Sequence, residues 1–182
     1  MVLLRLPKKP QAAADTCAAT PGEPQAFRSA MRELAGGVSV ITASRGDERT
    51  GLTVTSVISL SLDPPELLVS VNQNSSSWPF IKETGYFGVN VLSAELQPVA
   101  ERFSGKGGIR GEQRYEGSPW QRDRHGVWLL PQALATFSCK VEDILIHRTH
   151  ALIVGAVLCA HTQGQENGPL SYWRGRYGGF SL

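Results

Sequence analysis

The stretch Gly51-Leu52-Thr53-Val54-Thr55-Ser56-Val57-Ile58-Ser59-Leu60-Ser61-Leu62 carries the clearest pattern in the chain. Leu52, Val54, Ile58, Leu60 and Leu62 are apolar, and Thr53, Thr55, Ser59 and Ser61 fall between them. Successive side chains of a strand point to opposite faces, so this segment reads as one strand with a greasy face and a hydroxyl-lined face. Asp63-Pro64-Pro65 ends it, because proline cannot donate to a ladder. Threonine and serine equally suit the solvated face of an antiparallel sheet, so the hydroxyl row alone does not single out a ligand.

Working outward, alternation recurs on both sides. Val38, Val40 and Ile41-Thr42 suggest a strand that turns at Arg45-Gly46-Asp47. Glu66 to Asn72 is another, with Leu67, Val69 and Val71 on one face, and Phe87, Val89 and Val91 mark the next. Ala135, Phe137, Cys139 and Val141 alternate with polar residues. Ala151 to Ala160 is a continuous apolar run, expected to be buried on both faces. A last short strand is expected around Ser171 to Trp173.

Helical spacing appears in three places. Phe27, Ala30, Met31 and Leu34 share one face, and Gly36-Gly37 is expected to stop that helix. Ser75-Ser76-Ser77 before Trp78-Pro79 resembles a helix start running to about Thr84, stopped by Gly85. Leu96, Val99, Ala100 and Phe103 form the third. Ser104 to Trp120, rich in glycine and charge, reads as a long surface loop. About six or seven short strands with few helices between them disfavour a doubly wound parallel sheet and favour a closed or partly closed antiparallel barrel.

Composition narrows the function. The chain has 182 residues, 41% hydrophobic and 19% charged, as expected of one folded globular unit. Residues 1–24, rich in Pro and Ala, read as a flexible leader before a domain at 25–182. A net charge of +2 gives no electrostatic reason to expect nucleic acid or an anionic membrane as a partner. Cys17, Cys139 and Cys159 form no C-x-x-C pair and are odd in number, which suits a reducing cytoplasm. No apolar run reaches the roughly 20 residues that a membrane helix needs.

Common catalytic signatures are missing: there is no G-x-G-x-x-G after a strand, no Walker loop and no G-x-S-x-G elbow. Gly105-Lys106-Gly107-Gly108 only superficially resembles a phosphate loop. His147 and His150, three apart, would point to opposite faces of one strand, and Cys159 with His161 lacks further ligands, so no metal site is expected. The serine cluster before a helix has two readings, a cap or an anion site.

Several segments together resemble the flavin reductase family, the small reductase components of two-component flavin monooxygenases. They are Phe27-Arg28-Ser29-Ala30-Met31, Gly37-Val38-Ser39-Val40-Ile41-Thr42, the stretch from Gly51 through Pro65, Phe87-Gly88-Val89-Asn90-Val91-Leu92, Arg102-Phe103, and Pro169-Leu170 with Arg174-Gly175-Arg176-Tyr177. The resemblance spans about Phe27 to Tyr177. It implies a mainly β fold with short helices, a Greek-key split β-barrel of FMN-binding type, working as a homodimer. It also implies an NAD(P)H:flavin oxidoreductase that passes reduced flavin to a separate oxygenase. By this match Thr53, Val54, Thr55, Ser56 and Val57 lie along FMN (or FAD). Asn72, Ser75 and Ser77 hold its ribityl-phosphate end, Phe103 and Lys106 close over it, and Tyr177 joins the site. His150 matches the histidine that faces the nicotinamide of NADH or NADPH, but Arg148-Thr149 replace the family's usual Gly-Asp before it. That departure leaves open a flavin carrier without nicotinamide turnover, and a related barrel binding haem or another ligand is a third reading.

Overall fold

A computed structural model describes residues 22–164 and 168–180. The expected leader lies outside the described residues as far as residue 21, and so does Cys17. Helix α1 (Pro24–Met31) opens the described chain. Strands β1 (Gly36–Gly37), β2 (Ser39–Arg45), β3 (Glu48–Val54), β4 (Val57–Leu62) and β5 (Pro65–Asn72) follow. Then come α2 (Trp78–Thr84), β6 (Tyr86–Val91) and α3 (Gln97–Phe103). The remainder holds β7 (Gln121–Arg122), β8 (Trp128–Leu129), β9 (Ala135–His147), β10 (His150–Thr162), β11 (Leu170–Trp173) and β12 (Arg176–Gly179).

Seven strands make one antiparallel sheet in the order β3-β2-β6-β9-β10-β5-β4. Non-consecutive neighbours, β6 beside β2 and β5 beside β10, supply the crossovers of a Greek key. The stretch from Gly51 to Leu62 is not one strand. It breaks at Thr55-Ser56, and its halves lie at opposite edges of the sheet order. A two-residue link spans at most about 10 Å, so the sheet must curl until its edges meet there. No ladder joins β3 to β4 among the described residues, which leaves a barrel that is split rather than closed.

Period-two alternation sorts side chains into two cores. Ile41 and Ala43 of β2 join Val69, Val71, Phe87, Val89, Cys139 and Ile153 in one. Val38 and Val40 join Leu92, Phe103, Tyr115, Leu130 and Leu170 in the other. Asn90, fully buried on β6, ties the second core: its Nδ2 donates to the Val40 carbonyl at 3.1 Å and its Oδ1 accepts from Leu130 N at 2.7 Å. Burial pushes the Cys139 thiol up to about 12.

Several expectations are corrected. Gly36-Gly37 do not end a helix; α1 stops at Met31 and the glycines pair with β11. The apolar face of α1 is open, with Phe27, Met31 and Leu34 all exposed. So is the greasy face of β4, where Ile58, Leu60 and Leu62 are 55%, 47% and 89% exposed, because β4 is an edge strand. The run Ala151 to Ala160 is buried only in its first half. The β5 ladder ends at Ala156, beyond which β10 keeps β9 as its one partner and projects into solvent.

The segment Ser104 to Trp120 is not simply a surface loop. It contains short 3-10 turns at Lys106–Gly108 and Gly111–Tyr115, and it sends Tyr115 into the second core. The Tyr115 hydroxyl donates to the Thr50 carbonyl at 2.6 Å, and Trp120 packs against the same rings. β12 was not expected at all. Among the described residues no helix is long and apolar enough to cross a membrane.

Candidate functional site

A cleft of about 870 Å³ opens where β3 ends, between α3, the turn after it and the β11–β12 hairpin. Thr53, Val54 and Thr55 form one wall, Gln97, Glu101, Ser104, Gly105 and Lys106 a second, and Tyr172, Gly175, Arg176 and Tyr177 a third. Three separate parts of the chain thus converge on one space, and five of the predicted residues (Thr53, Val54, Thr55, Lys106, Tyr177) line it.

Local bonding fixes these walls. Thr53 Oγ1 donates to the Ala100 carbonyl at 2.6 Å, fastening β3 to α3. Lys106 Nζ lies 3.6 Å from Glu101 Oε1, with its side chain 72% exposed at the rim. Tyr177 meets Tyr172 edge-on at 5.1 Å, and burial raises its hydroxyl above the usual tyrosine range. The turn between β11 and β12 is held by α1's end: Arg174 clasps Glu33 at 2.6 Å, and Arg32 Nη2 donates to the Arg174 carbonyl at 2.8 Å.

The other predicted residues sit elsewhere. Ser56 turns away, its hydroxyl donating to the Ser70 carbonyl at 2.9 Å, and Val57 packs on the first core. Phe103 is 1% exposed and faces core rings, Tyr115 at 5.0 Å and Trp120 at 5.2 Å, rather than the cleft. Asn72 ends β5 and accepts the Asn74 N–H at 2.9 Å. Ser77 stands at the N-cap of α2 but makes no side-chain cap bond. The hydroxyls of Ser75 and Ser77 are buried without a hydrogen-bond partner among the described residues.

His150 pairs in register with Asn72 on one side and with His147 on the other. The two histidines therefore lie on facing strands of one hairpin and share a face, which corrects the expectation that they diverge. Among the described residues no group of three or more His, Cys, Asp or Glu side chains is placed to hold a metal. Where the family pattern has an acid, Thr149 Oγ1 lies 2.9 Å from His150 Nδ1. Residues not singled out from sequence also belong here. Gln97, Glu101 and Ser104 reach the cleft through the helical phase of α3, and Tyr172 and Arg176 through strands too short for a period to register.

A partly polar cleft beside the end of β3, on a curled antiparallel sheet that does not close, defines a split-barrel protein with room for a ligand. Residues 31–181 match the family described as flavin reductase like domain. The chain belongs to the flavin reductase family. Its relatives include the reductase component of the FADH(2)-dependent resorcinol hydroxylase of Rhizobium sp. (strain MTP-10005), 36% identical over 158 residues, covering 86% of this chain and 87% of that protein. FMN reductase (NADH) RutF 2 of Methylorubrum extorquens (strain PA1) is 37% identical over 143 residues, covering 78% of this chain and 82% of that one. Among solved structures, BorF, the flavin reductase component of a bacterial two-component tryptophan halogenase, aligns with a TM-score of 0.80 at 30% identity. That alignment covers 88% of this chain and 99% of BorF.

Proposed function

We propose that this chain is an NADH-dependent flavin reductase that binds FMN in the cleft and hands the reduced flavin to a separate oxygenase. The observation that carries the reading is the convergence of Thr53 to Thr55, Lys106 and Tyr177 on one cleft within a chain matching the family from residue 31 to 181. The residues fit such a cofactor. The cleft offers hydroxyls and two tyrosine rings, and the buried Ser75 and Ser77 hydroxyls lack the partners that a polar ligand group supplies. NADH is preferred over NADPH because relatives are named FMN reductase (NADH); the same names favour FMN, while the resorcinol hydroxylase reductase is named for FADH(2) and keeps FAD as the second flavin to be assayed.

Bound flavin supplies the hydride-accepting chemistry, so no protein acid–base pair is required. The chain's work is positioning and exclusion of water. Thr53, held by Ala100, and the Tyr172–Tyr177 pair form rigid walls. His150, steadied by Thr149, is proposed to face the nicotinamide, with Asn72 beside it in register. Relatives named as reductases favour turnover over a carrier role. Purified protein with FMN is expected to oxidise NADH, followed at its absorbance band. No flavin-dependent oxidation with either NADH or NADPH would reject the reading.

A homodimer is part of the same proposal. The open apolar edge of β4 and the uncovered face of α1 support it, since exposed strand edges invite pairing. Ile58→Arg with Leu60→Asp is expected to halve the mass seen by light scattering; an unchanged mass would place the interface elsewhere. The free cysteines Cys139 and Cys159 support a reducing, cytoplasmic setting.

A further inference from the structure

We propose that the face of the β11–β12 hairpin turned away from the cleft is a second subsite, where Arg176, Arg32 and Trp173 take the adenosine diphosphate half of NADH. This rests on the reading of the chain as an NADH-dependent reductase. The hairpin pairs Tyr172 with Tyr177 and Trp173 with Arg176. Successive side chains of a strand alternate faces, so the tyrosines line the cleft while Trp173 borders a separate hollow on the other side. Arg174 and Gly175, with φ of 49° and 83°, make the tight turn that joins the strands. The hollow measures about 630 Å³ and is bordered by Arg32, Arg174, Arg176, Ser171, Trp173 and Tyr177. Arg176 and Tyr177 border the cleft as well, so the two spaces meet at their side chains.

Charge is the second observation. Glu33 answers only one of the three guanidiniums, that of Arg174, at 2.6 Å. Arg32 gives Nη2 to the Arg174 carbonyl at 2.8 Å but enters no ion pair among the described residues. The Arg176 side chain has neither an ion pair nor a hydrogen bond among them. No carboxylate lines the hollow among the described residues. A concave wall of one sign concentrates anions, and the planar guanidinium fork matches a phosphate.

The aromatic ring is the third. Trp173 is 46% exposed, yet it is held: its Nε1 donates to the Glu33 carbonyl at 3.3 Å, and the Arg174 guanidinium lies 4.4 Å over its ring. A fixed, open indole offers a stacking surface to a purine. Unpaired guanidiniums beside such a ring suit a phosphate and a base together, which a simple anion does not supply. The nicotinamide must reach the flavin in the cleft, and the rest of the dinucleotide then crosses the hairpin where Arg176 borders both spaces.

The experiment compares NADH with reduced nicotinamide mononucleotide, which carries the same hydride without the adenylate half, on the full chain at saturating FMN. The native chain is expected to favour NADH in kcat/KM by about 10- to 100-fold, the range of a charge-assisted contact. Arg176→Gln should bring the two donors within about threefold of each other by losing NADH, and Arg176→Lys should restore part of the gap. Apart from turnover, ADP should bind the native chain in a calorimetric titration and weaken about tenfold or more in Arg176→Gln. ADP should compete with NADH and not with the mononucleotide. Arg176 is exposed, so both variants are expected to fold. Equal use of the two donors by the native chain, or equal losses on both in Arg176→Gln, would overturn the subsite and leave the reductase reading intact. A loss confined to FAD binding, with NADH unmoved, would assign the hollow to the flavin's adenylate and overturn it too. Oxidation of neither donor would reject the reductase reading and the subsite with it.

Discussion

Replacing Phe103 with alanine is expected to cost about 3–5 kcal/mol of stability, the usual range for deleting a fully buried phenyl ring. The ring is 1% exposed and packs on Tyr115 and Trp120. It also occupies the space above Gly51, where an added Cβ would meet it at 2.6 Å. No flexible neighbour can refill that void, since β3 and α3 are both fastened by the Thr53–Ala100 bond. Thermal unfolding should shift down by roughly 6–20 °C. Phe103→Leu, which keeps most of the volume, should lose far less. A midpoint within a degree or two of the native chain for Phe103→Ala would show that the ring is not a core element. This matters for function, because the family resemblance implies that Phe103 closes over the cofactor, whereas its ring faces the core. If it acts through packing, flavin affinity should fall only as far as the folded fraction falls.

The second large effect falls at Thr55. It is exposed at the break between β3 and β4, and its side chain lines the cleft. A tryptophan there would fill ligand space without entering either core, so stability should change by no more than about 0.5 kcal/mol. FMN affinity should drop by about 100-fold or more, equivalent to roughly 2.7 kcal/mol. Calorimetric titration checks this directly. Unchanged affinity in a folded Thr55→Trp protein would mean that flavin binds outside the cleft.

Much of the fold was legible because its strands alternate cleanly. β2, β5 and β6 follow their apolar periods, and α2 lies between the serine cluster and Gly85, which takes a left-handed φ of 72°. The break at Thr55-Ser56 was not legible. It contains no glycine or proline, and although Ser56 and Val57 interrupt the alternation, the same parity resumes at Ile58, so tertiary pairing is what separates β3 from β4. The exposed face of β4 has the same origin: alternation identifies an apolar face without saying what covers it. β12, with two glycines in four residues, carries no period. Tyr115 and Trp120 are isolated aromatics in a charged, glycine-rich stretch, and nothing local marks them as core.

The site divides in the same way. Thr53, Val54 and Thr55 reach the cleft, whereas one residue further Ser56 is claimed by β5, because the chain turns between them. The His147–His150 pairing likewise depends on a hairpin whose turn, with Arg148 at a φ of 54°, follows no common glycine signal.

Crystals of the full chain grown with FMN give the most direct test of the flavin site. The isoalloxazine is expected in the cleft between Thr53 to Thr55 and Tyr177, with the phosphate reaching toward Ser75 to Ser77. Flavin lodged on another surface, or none at a saturating concentration, would contradict it.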